Sequence, residues 1–246
     1  YAREMLSQLT LGLCASAELL EMLVTAGVPR ASLAEHRLGI DLVQFRPGQR
    51  DDKVLRVAMV GRFVEKKGFA DGLRAFARFA DSHPEPTELA IVGSGPLDHE
   101  LRSLCAALGQ QSRVRFLGAL SHQEVAAVLA RSDVLLAPSV VAANGDRDSG
   151  LLSAKEASAS ACVPIATRHG GIPSIIDDGT TGFLVNEHDV EGIVTHLRTL
   201  ANHPNLRRSM AEGARAKMMR EYGLRESVRN LERFYDDAIV RYKSKG

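Results

Sequence analysis

The chain contains no tryptophan, and aromatic residues make up only 5% of it. It has three cysteines in 246 residues, Cys14, Cys105 and Cys162, and these are far apart in the sequence. They form neither a CxxC pair nor the Cys/His spacing that metal sites and redox-active pairs require. We therefore expect buried thiols in a reducing, cytoplasmic compartment rather than disulfides or metal ligands.

The sequence also lacks a long apolar run and an excess of charge of one sign. No apolar run reaches the ~18 residues that a membrane-spanning helix needs. The 31 basic and 30 acidic residues leave a net charge of +1, whereas nucleic-acid binders usually carry a basic excess. We expect no nucleic-acid partner, and an anionic ligand must meet locally placed cations. The small positive excess is compatible with peripheral contact at the inner face of a membrane.

Residues 1–50 lack the regular alternation of strand-length and helix-length segments that the rest of the chain shows. A short apolar strand, Leu11–Ala15, precedes an amphipathic helix that Ser16 is placed to cap. Gly27 is expected to end this helix, and a polar, turn-rich segment at 45–52 has the composition of a linker. The chain opens without Met or a secretory leader, so we expect it to be a piece of a longer protein.

From residue 54 onward, apolar runs of strand length alternate with segments of helical period. Runs that are apolar throughout predict parallel strands covered on both faces. The pattern therefore predicts an α/β domain with a Rossmann-like, doubly wound parallel sheet, followed by helices over 189–243. Ligands of such sheets bind at the carboxyl ends of the strands. The predicted strands are Val54–Val60, Leu89–Val92, Val114–Leu117, Val134–Ala137, Val163–Ala166 and Gly182–Val185.

The loop after the first of these strands carries two candidate anion ligands, Arg62 and Lys67. Gly61 permits a tight turn, and Gly68 opens the next helix, whose N-terminus favours an anion. Arg supplies a planar fork and Lys a point charge, which together suit a phosphate. The alternative is a solvated, charged loop with no ligand.

The next two loops offer backbone rather than side-chain chemistry. Gly95, in Gly93-Ser94-Gly95-Pro96, allows either close approach to a ligand or a plain tight turn. After the third strand, Ser121 and Glu124 form a capping box. The main chain at Leu117, just before them, is exposed enough to meet a flat base.

The loop after the fourth strand supplies two acids, Asp148 and Glu156. Asp148 precedes a helix predicted over 151–161, and Glu156 lies in its second turn, so both can face the helix mouth. Carboxylates accept hydrogen bonds from sugar hydroxyls. Two alternatives are stabilisation of the helix dipole and an oxygen-rich metal site that includes Asp146.

The loop after the fifth strand contains His169, Gly170 and Gly171. The paired glycines give backbone freedom close to the same cleft. His169 is either a titrating group or a hydrogen-bonding residue of the loop.

In this order the motifs GRFVEKKG, VGSGP, FLG, APS, D-x7-E and HGGIPSIIDDGTTGFLV resemble the C-terminal domain of glycosyltransferase family 4. The resemblance covers residues 10–243. It implies the C-terminal half of a GT-B fold, in which two Rossmann-like domains face each other across a cleft. Residues 1–50 then correspond to the end of an N-terminal domain with its linker, and 51–246 to the donor-binding domain with terminal helices.

The resemblance also implies roles for the matching residues. Arg62 and Lys67 correspond to the pair that neutralises the donor diphosphate, Glu156 to the acid on the ribose, and Asp148 to the acid on the donor sugar. The backbone of Gly150, Leu151 and Leu152 corresponds to phosphate or sugar contacts, and the main chain of Leu117 to the base contact. Gly61, Gly95, Gly170 and Gly171 complete the implied donor site.

The implied activity is retaining transfer of a hexose-type sugar from a nucleoside diphosphate sugar to an acceptor hydroxyl, as in polysaccharide or glycolipid synthesis. No metal or other cofactor is implied, and the acceptor site belongs to the missing N-terminal domain. Two departures stand out: Asp148 replaces the usual Glu, and Ser149-Gly150-Leu151 replaces the common Gly-Phe-Gly or Gly-Ile-Pro. They leave two alternatives, a catalytically degenerate nucleotide-sugar-binding module and a GT-B sugar epimerase.

Overall fold

A computed structural model describes residues 9–50, 53–148 and 152–243. At the amino end, strands β1 (Gly12–Cys14) and β2 (Leu33–Glu35) form a small parallel sheet around helix α1 (Ala17–Thr25). The Ser16 hydroxyl accepts a hydrogen bond from the Leu19 N–H, which confirms the predicted cap. Gly27 follows the helix with a φ of +96°, also as predicted. Strand β2 was not predicted, because three residues carry too little periodicity to be recognised.

The main sheet confirms the predicted doubly wound architecture. Its six parallel strands lie in the order β5-β4-β3-β6-β7-β8. Each predicted run is a strand, with ends that differ by one or two residues. The strands are β3 (Leu55–Val60), β4 (Thr87–Val92), β5 (Val114–Gly118), β6 (Val134–Ala137), β7 (Val163–Thr167) and β8 (Phe183–Val185).

Helices cover both faces of this sheet, because alternate strand residues point to opposite sides. In β3, for example, Val57 and Met59 face one cluster of apolar side chains and Ala58 faces the other. Helices α2, α3 and α6 cover the first face, and α4, α5 and the end of α7 cover the second. The helices are α2 (Phe69–Ser82), α3 (Asp98–Ala107), α4 (His122–Arg131), α5 (Leu152–Ala159), α6 (Val190–Asn202), α7 (Pro204–Glu221) and α8 (Leu224–Lys243).

The strand order reverses between β3 and β6. The chain winds outward from β3 through β4 to β5, then returns to place β6 on the other side of β3. Loops that leave neighbouring strands in opposite directions open a crevice at the carboxyl edge of the sheet. The loops after β3 and β6 border this crevice, and these are the loops with the candidate cations and acids.

The described part of the predicted linker is hydrogen-bonded to α4 and to the turn after α5, on the second face of the sheet. Arg50 donates from its two terminal nitrogens to the carbonyls of Ala161, at 2.6 Å, and Ser160, at 2.7 Å. The Gly48 N–H donates to the Ala130 carbonyl at 3.1 Å. The chain therefore enters the main sheet along a defined path, and a domain boundary near residue 50 stays a prediction.

The beginning and the end of the described chain are joined by backbone hydrogen bonds. The Ile40 N–H donates to the Tyr222 carbonyl at 2.7 Å, and the Leu224 N–H donates to the Ile40 carbonyl at 3.1 Å. Helix α8 then runs back towards the small sheet, where Arg241 donates to the Ala31 carbonyl at 2.7 Å.

The three cysteines are buried and unpaired, as expected. Burial raises the pKa of the Cys162 thiol to about 12, so this thiol stays protonated and unreactive at neutral pH. Within the described ranges, no helix combines the length and the apolar character needed to cross a bilayer.

Candidate functional site

A glycine brings the two central loops together. Gly68 ends the short 3-10 turn Glu65–Lys67 with a φ of +61°. A Cβ at this position would lie 1.8 Å from the carbonyl oxygen of Pro138, which follows β6. No side chain fits there, so the loop after β3 can rest directly on the loop after β6. This contact carries Lys67 into the crevice.

Lys67 and Asp148 form an ion pair across the crevice. The Lys67 Nζ lies 3.0 Å from the Asp148 Oδ2, and the side chains are 18% and 10% exposed. The Ser139 hydroxyl donates to the same Oδ2 at 2.7 Å. The structure thus joins a predicted diphosphate ligand to the predicted sugar ligand.

A buried histidine forms a hydrogen bond with the backbone of Asp148. The His169 Nε2 accepts a hydrogen bond from the Asp148 N–H at 3.1 Å, so the ring hydrogen sits on Nδ1. Nδ1 lies 2.6 Å from the Glu187 Oε1 and donates to it. The other Glu187 oxygen accepts from the Val141 N–H at 2.9 Å. His169 is therefore a hydrogen-bonding residue of the loop, which was one of the two expected alternatives.

Glu187 is a member of this group that the sequence pattern did not reveal. Burial raises its pKa, but the hydrogen bonds from Val141 and His169 outweigh burial and hold the pKa below its usual value. A glutamate 18 residues beyond a loop histidine carries no recognisable spacing, so only the fold brings the two together.

Gly170 adds a further backbone contact to Asp148. Its φ is +53°, and a Cβ there would lie 2.2 Å from the Asp148 carbonyl oxygen. Gly170 thus has the backbone conformation that favours glycine, and this lets it pack against the backbone of Asp148. Gly171 has an ordinary φ of −76°. Direct contact of either glycine with a donor stays a prediction.

Additional charge surrounds the ion pair. Lys66 Nζ lies 2.9 Å from Asp146 Oδ1, and this hydrogen bond, with a smaller contribution from the Arg62 charge, lowers the pKa of Asp146. Arg62 itself is exposed on the loop after β3. Three cations therefore lie on the loop after β3, and two of them, Lys66 and Lys67, are paired with acids of the loop after β6.

Glu156 occupies a separate position on α5. Its carboxylate is buried and lies 2.8 Å from the Nε2 of His122, the first residue of α4. Burial raises the pKa of Glu156, and the hydrogen bond with His122 opposes that rise. In the part of the chain that the structure describes, no hydrogen bond or ion pair connects Glu156 to Lys67 or Asp148. The two acids thus have different surroundings at the same edge.

The acids do not gather into a metal centre among the described residues. There, no group of three or more His, Cys, Asp or Glu side chains is arranged to hold an ion. Asp146, Asp148 and Glu156 each face a lysine or a histidine instead.

The backbone candidates in the loops differ in what they contact. Gly61 lies beneath the Lys67 side chain, since a Cβ on this glycine would lie 3.5 Å from the lysine Cδ. A Cβ on Gly95 would lie 2.6 Å from the Phe63 carbonyl oxygen. The lack of a side chain at Gly95 therefore lets the loop after β4 pack directly against the loop after β3. Leu117 has no partner in β4, because the residues before and after it, Phe116 and Gly118, pair with the consecutive residues 91 and 92.

The last candidates lie at the start of α5. Gly150 and Leu151 fall outside the described residues. Leu152 is the first residue of α5, and about half of its surface is exposed. A donor contact by these residues or by Leu117 stays a prediction.

Comparison with known proteins gives a consistent result. The family described as glycosyl transferases group 1 matches residues 43–217. The chain is 33% identical over 219 residues to the D-inositol 3-phosphate glycosyltransferase of Corynebacterium kroppenstedtii, covering 82% of this chain and 47% of that protein. It spans about half the length of the curated relatives that it matches.

Two solved structures share the fold. HepE of Anabaena, in complex with UDP-glucose, has a TM-score of 0.82 at 18% identity, with 92% of this chain and 64% of that chain covered. The C-terminal domain of LpcC, a group 1 glycosyl transferase family protein from Francisella tularensis, has a TM-score of 0.66 at 23% identity. That match covers 76% of this chain and all of the LpcC domain. The fold is the C-terminal half of a GT-B fold, and the chain belongs to the group 1 glycosyl transferases.

Proposed function

We propose that the protein containing this chain transfers a hexose-type sugar from a nucleoside diphosphate sugar to an acceptor hydroxyl, with retention at the anomeric carbon. The observation that carries the proposal is the cation cluster at the switch point of the sheet. Lys67 enters the crevice, Arg62 lies on the same loop, and α2 begins directly after Gly68.

The chemistry of the leaving group explains why cations are needed there. Negative charge grows on the diphosphate as its bond to the sugar breaks, and preorganised cations stabilise that charge. Lys67 and Arg62 supply two positive charges, and the N–H groups at the start of α2 add their dipoles. The two side chains and these N–H groups would together stabilise the negative charge on the leaving diphosphate.

The remaining donor contacts follow from position. Glu156 is a buried acid on α5 and suits the ribose hydroxyls, and the main chain of Leu117, at the register shift between β4 and β5, suits the base. The complex of HepE with UDP-glucose supports a nucleotide sugar as the donor class. The acceptor, a sugar or a lipid-linked molecule, would bind a further domain across the cleft, in the cytoplasm or at the inner face of the membrane.

Nucleotide binding tests this proposal directly. The chain would be titrated with UDP, GDP and ADP and with a sugar derivative of each, by thermal unfolding and by calorimetry. We expect one base to raise the unfolding temperature and to bind in its diphosphate form. If all three diphosphates at millimolar concentration leave the unfolding temperature unchanged, the proposal is wrong. Retention would be checked in a protein that also carries the acceptor domain, by NMR of the product's anomeric proton.

A further inference from the structure

One oxygen of the Asp148 carboxylate is already bound by protein groups. Its Oδ2 accepts from the Ser139 hydroxyl and faces the Lys67 ammonium, at 2.7 and 3.0 Å. The residue as a whole is buried, with 7% of its surface exposed. An acid that is to bind sugar hydroxyls needs free oxygen lone pairs that face the ligand. The contacts with Lys67 and Ser139 use those of one oxygen.

Asp148 itself is held on several sides. His169 accepts from the Asp148 N–H, and Gly170 packs on the Asp148 carbonyl oxygen. The Thr167 hydroxyl donates to the Ser139 carbonyl at 2.5 Å, which anchors the residue that in turn holds Asp148. Buried polar groups that are hydrogen-bonded in this way define one arrangement. Asp148 therefore has little freedom to turn towards a sugar.

We propose that Asp148 is a positioning residue that acts on the donor diphosphate through Lys67. This inference rests on the proposed function, because it assigns the diphosphate to Lys67. It differs from the role that the family resemblance implies for this position.

The physical advantage lies in the lysine side chain. A lysine ammonium is a point charge on a flexible four-carbon stem, and ordering that stem costs rotamer entropy. The ion pair with Asp148 orders the Lys67 side chain before the donor binds, because it already holds Nζ in the crevice. The ammonium has three donor hydrogens, so one can stay on Asp148 while the others reach phosphate oxygens. The ion pair therefore persists when the diphosphate binds.

The short acid fits this role. Aspartate has one methylene fewer than the glutamate common in the family, so its carboxylate stays close to its own backbone. That backbone is the part held by His169 and Gly170. The substitution thus gives a more rigid support for Lys67 and a shorter reach towards a sugar.

A double-mutant cycle tests the assignment. UDP and UDP-glucose, or the corresponding pair for the base that binds, would be titrated calorimetrically into the wild type, Asp148→Asn, Lys67→Ala and the double variant. Asp148→Asn keeps the shape and loses the charge. We expect it to weaken both ligands by the same factor, about fivefold to tenfold, and to have no effect in the Lys67→Ala background. Asp148→Glu, which retains the charge, should recover at least part of the affinity that Asp148→Asn loses.

Three results would overturn the assignment. A loss confined to UDP-glucose would identify Asp148 as a sugar ligand. An effect that survives in the Lys67→Ala background would show that Asp148 acts independently of the lysine. Tighter UDP binding by Asp148→Asn would show that Asp148 competes with the diphosphate for Lys67. A wild type that binds no nucleotide would instead overturn the proposed function. If Asp148→Asn does not fold, Asp148→Glu and Asp148→Ser would be compared in the same cycle.

Discussion

The Lys67 Nζ lies 3.0 Å from the Asp148 Oδ2, so a cation that follows β3 meets an acid that follows β6 at the point where the sheet reverses. Neither residue is near the other in sequence. Their meeting results from two glycine contacts, Gly68 on Pro138 and Gly170 on Asp148.

Lys67→Ala should weaken nucleoside diphosphate binding by at least tenfold, because a charge-assisted contact to phosphate is lost. Lys66→Ala is the matched control. It removes the same charge from the neighbouring position, but its ammonium pairs with Asp146, whose side chain is about half exposed. Calorimetry should show a loss of less than threefold for that variant. Equal losses would mean that total charge, rather than the placement of Lys67, determines affinity.

Glu156→Gln should weaken nucleotide binding while leaving the fold as stable as the wild type at pH 7, or more stable. Burial raises the pKa of Glu156 in the folded state. As the pH rises from the unfolded pKa to the folded pKa, the folded state therefore loses stability relative to the unfolded chain, and at pH values above both this loss is complete. The neutral amide avoids this cost and keeps a hydrogen-bonding oxygen. Thermal unfolding and calorimetry on the same samples check both parts. Lower stability together with unchanged affinity would assign Glu156 a structural role alone.

Gly68→Ala should destabilise the fold far more than Gly109→Ala. Both glycines have a left-handed backbone, with φ of +61° and +69°, so both variants carry a conformational cost of about 1–2 kcal/mol. A Cβ on Gly109 meets nothing within 4 Å, whereas one on Gly68 meets the Pro138 carbonyl oxygen. The difference in the free energy of unfolding, measured with urea, should exceed about 2 kcal/mol. Similar values for the two variants would contradict the close loop contact.

Lys155→Met should stabilise the chain most below pH 8, and this gain should shrink as the pH rises to 10.5. Lys155 is buried beside the Tyr222 ring and Arg37, and burial lowers its pKa from 10.5 to about 8. Between these values the unfolded chain binds more protons than the folded chain, so wild-type stability rises with pH. The full change is about 3 kcal/mol. A constant difference between the two proteins, measured in urea from pH 7 to 10.5, would contradict the lowered pKa.

The sheet could be predicted from the sequence because its strands are buried on both faces and read as continuous apolar runs. Val134–Ala137 is such a run, and all four residues are buried. The start of β4 at Thr87 and Glu88 was missed, because these two polar residues interrupt the apolar pattern of the strand. Strand β2 was missed because it is short and depends on β1 for its hydrogen bonds.

The site could be predicted only in part. Lys67 and Asp148, both predicted from loops at the carboxyl ends of strands, do meet in the structure, and their contact with a donor stays a prediction. Their partners were not visible in the sequence. His169 and Glu187 join Asp148 through tertiary contacts, and His122 joins Glu156 across 34 residues, with no periodic pattern to indicate either pairing.

The hydrogen bonds between Ile40 and the junction of α7 and α8 have a consequence for how the chain is made. Ile40 is synthesised well before Tyr222 and Leu224, its partners. Ribosomes add residues at about 5–20 per second, and a domain completes its folding when its last element is available. The segment around Ile40 must wait for that moment while the central sheet assembles. These two hydrogen bonds therefore form only after α7 is complete, and a chain truncated before Tyr222 would lose both of them.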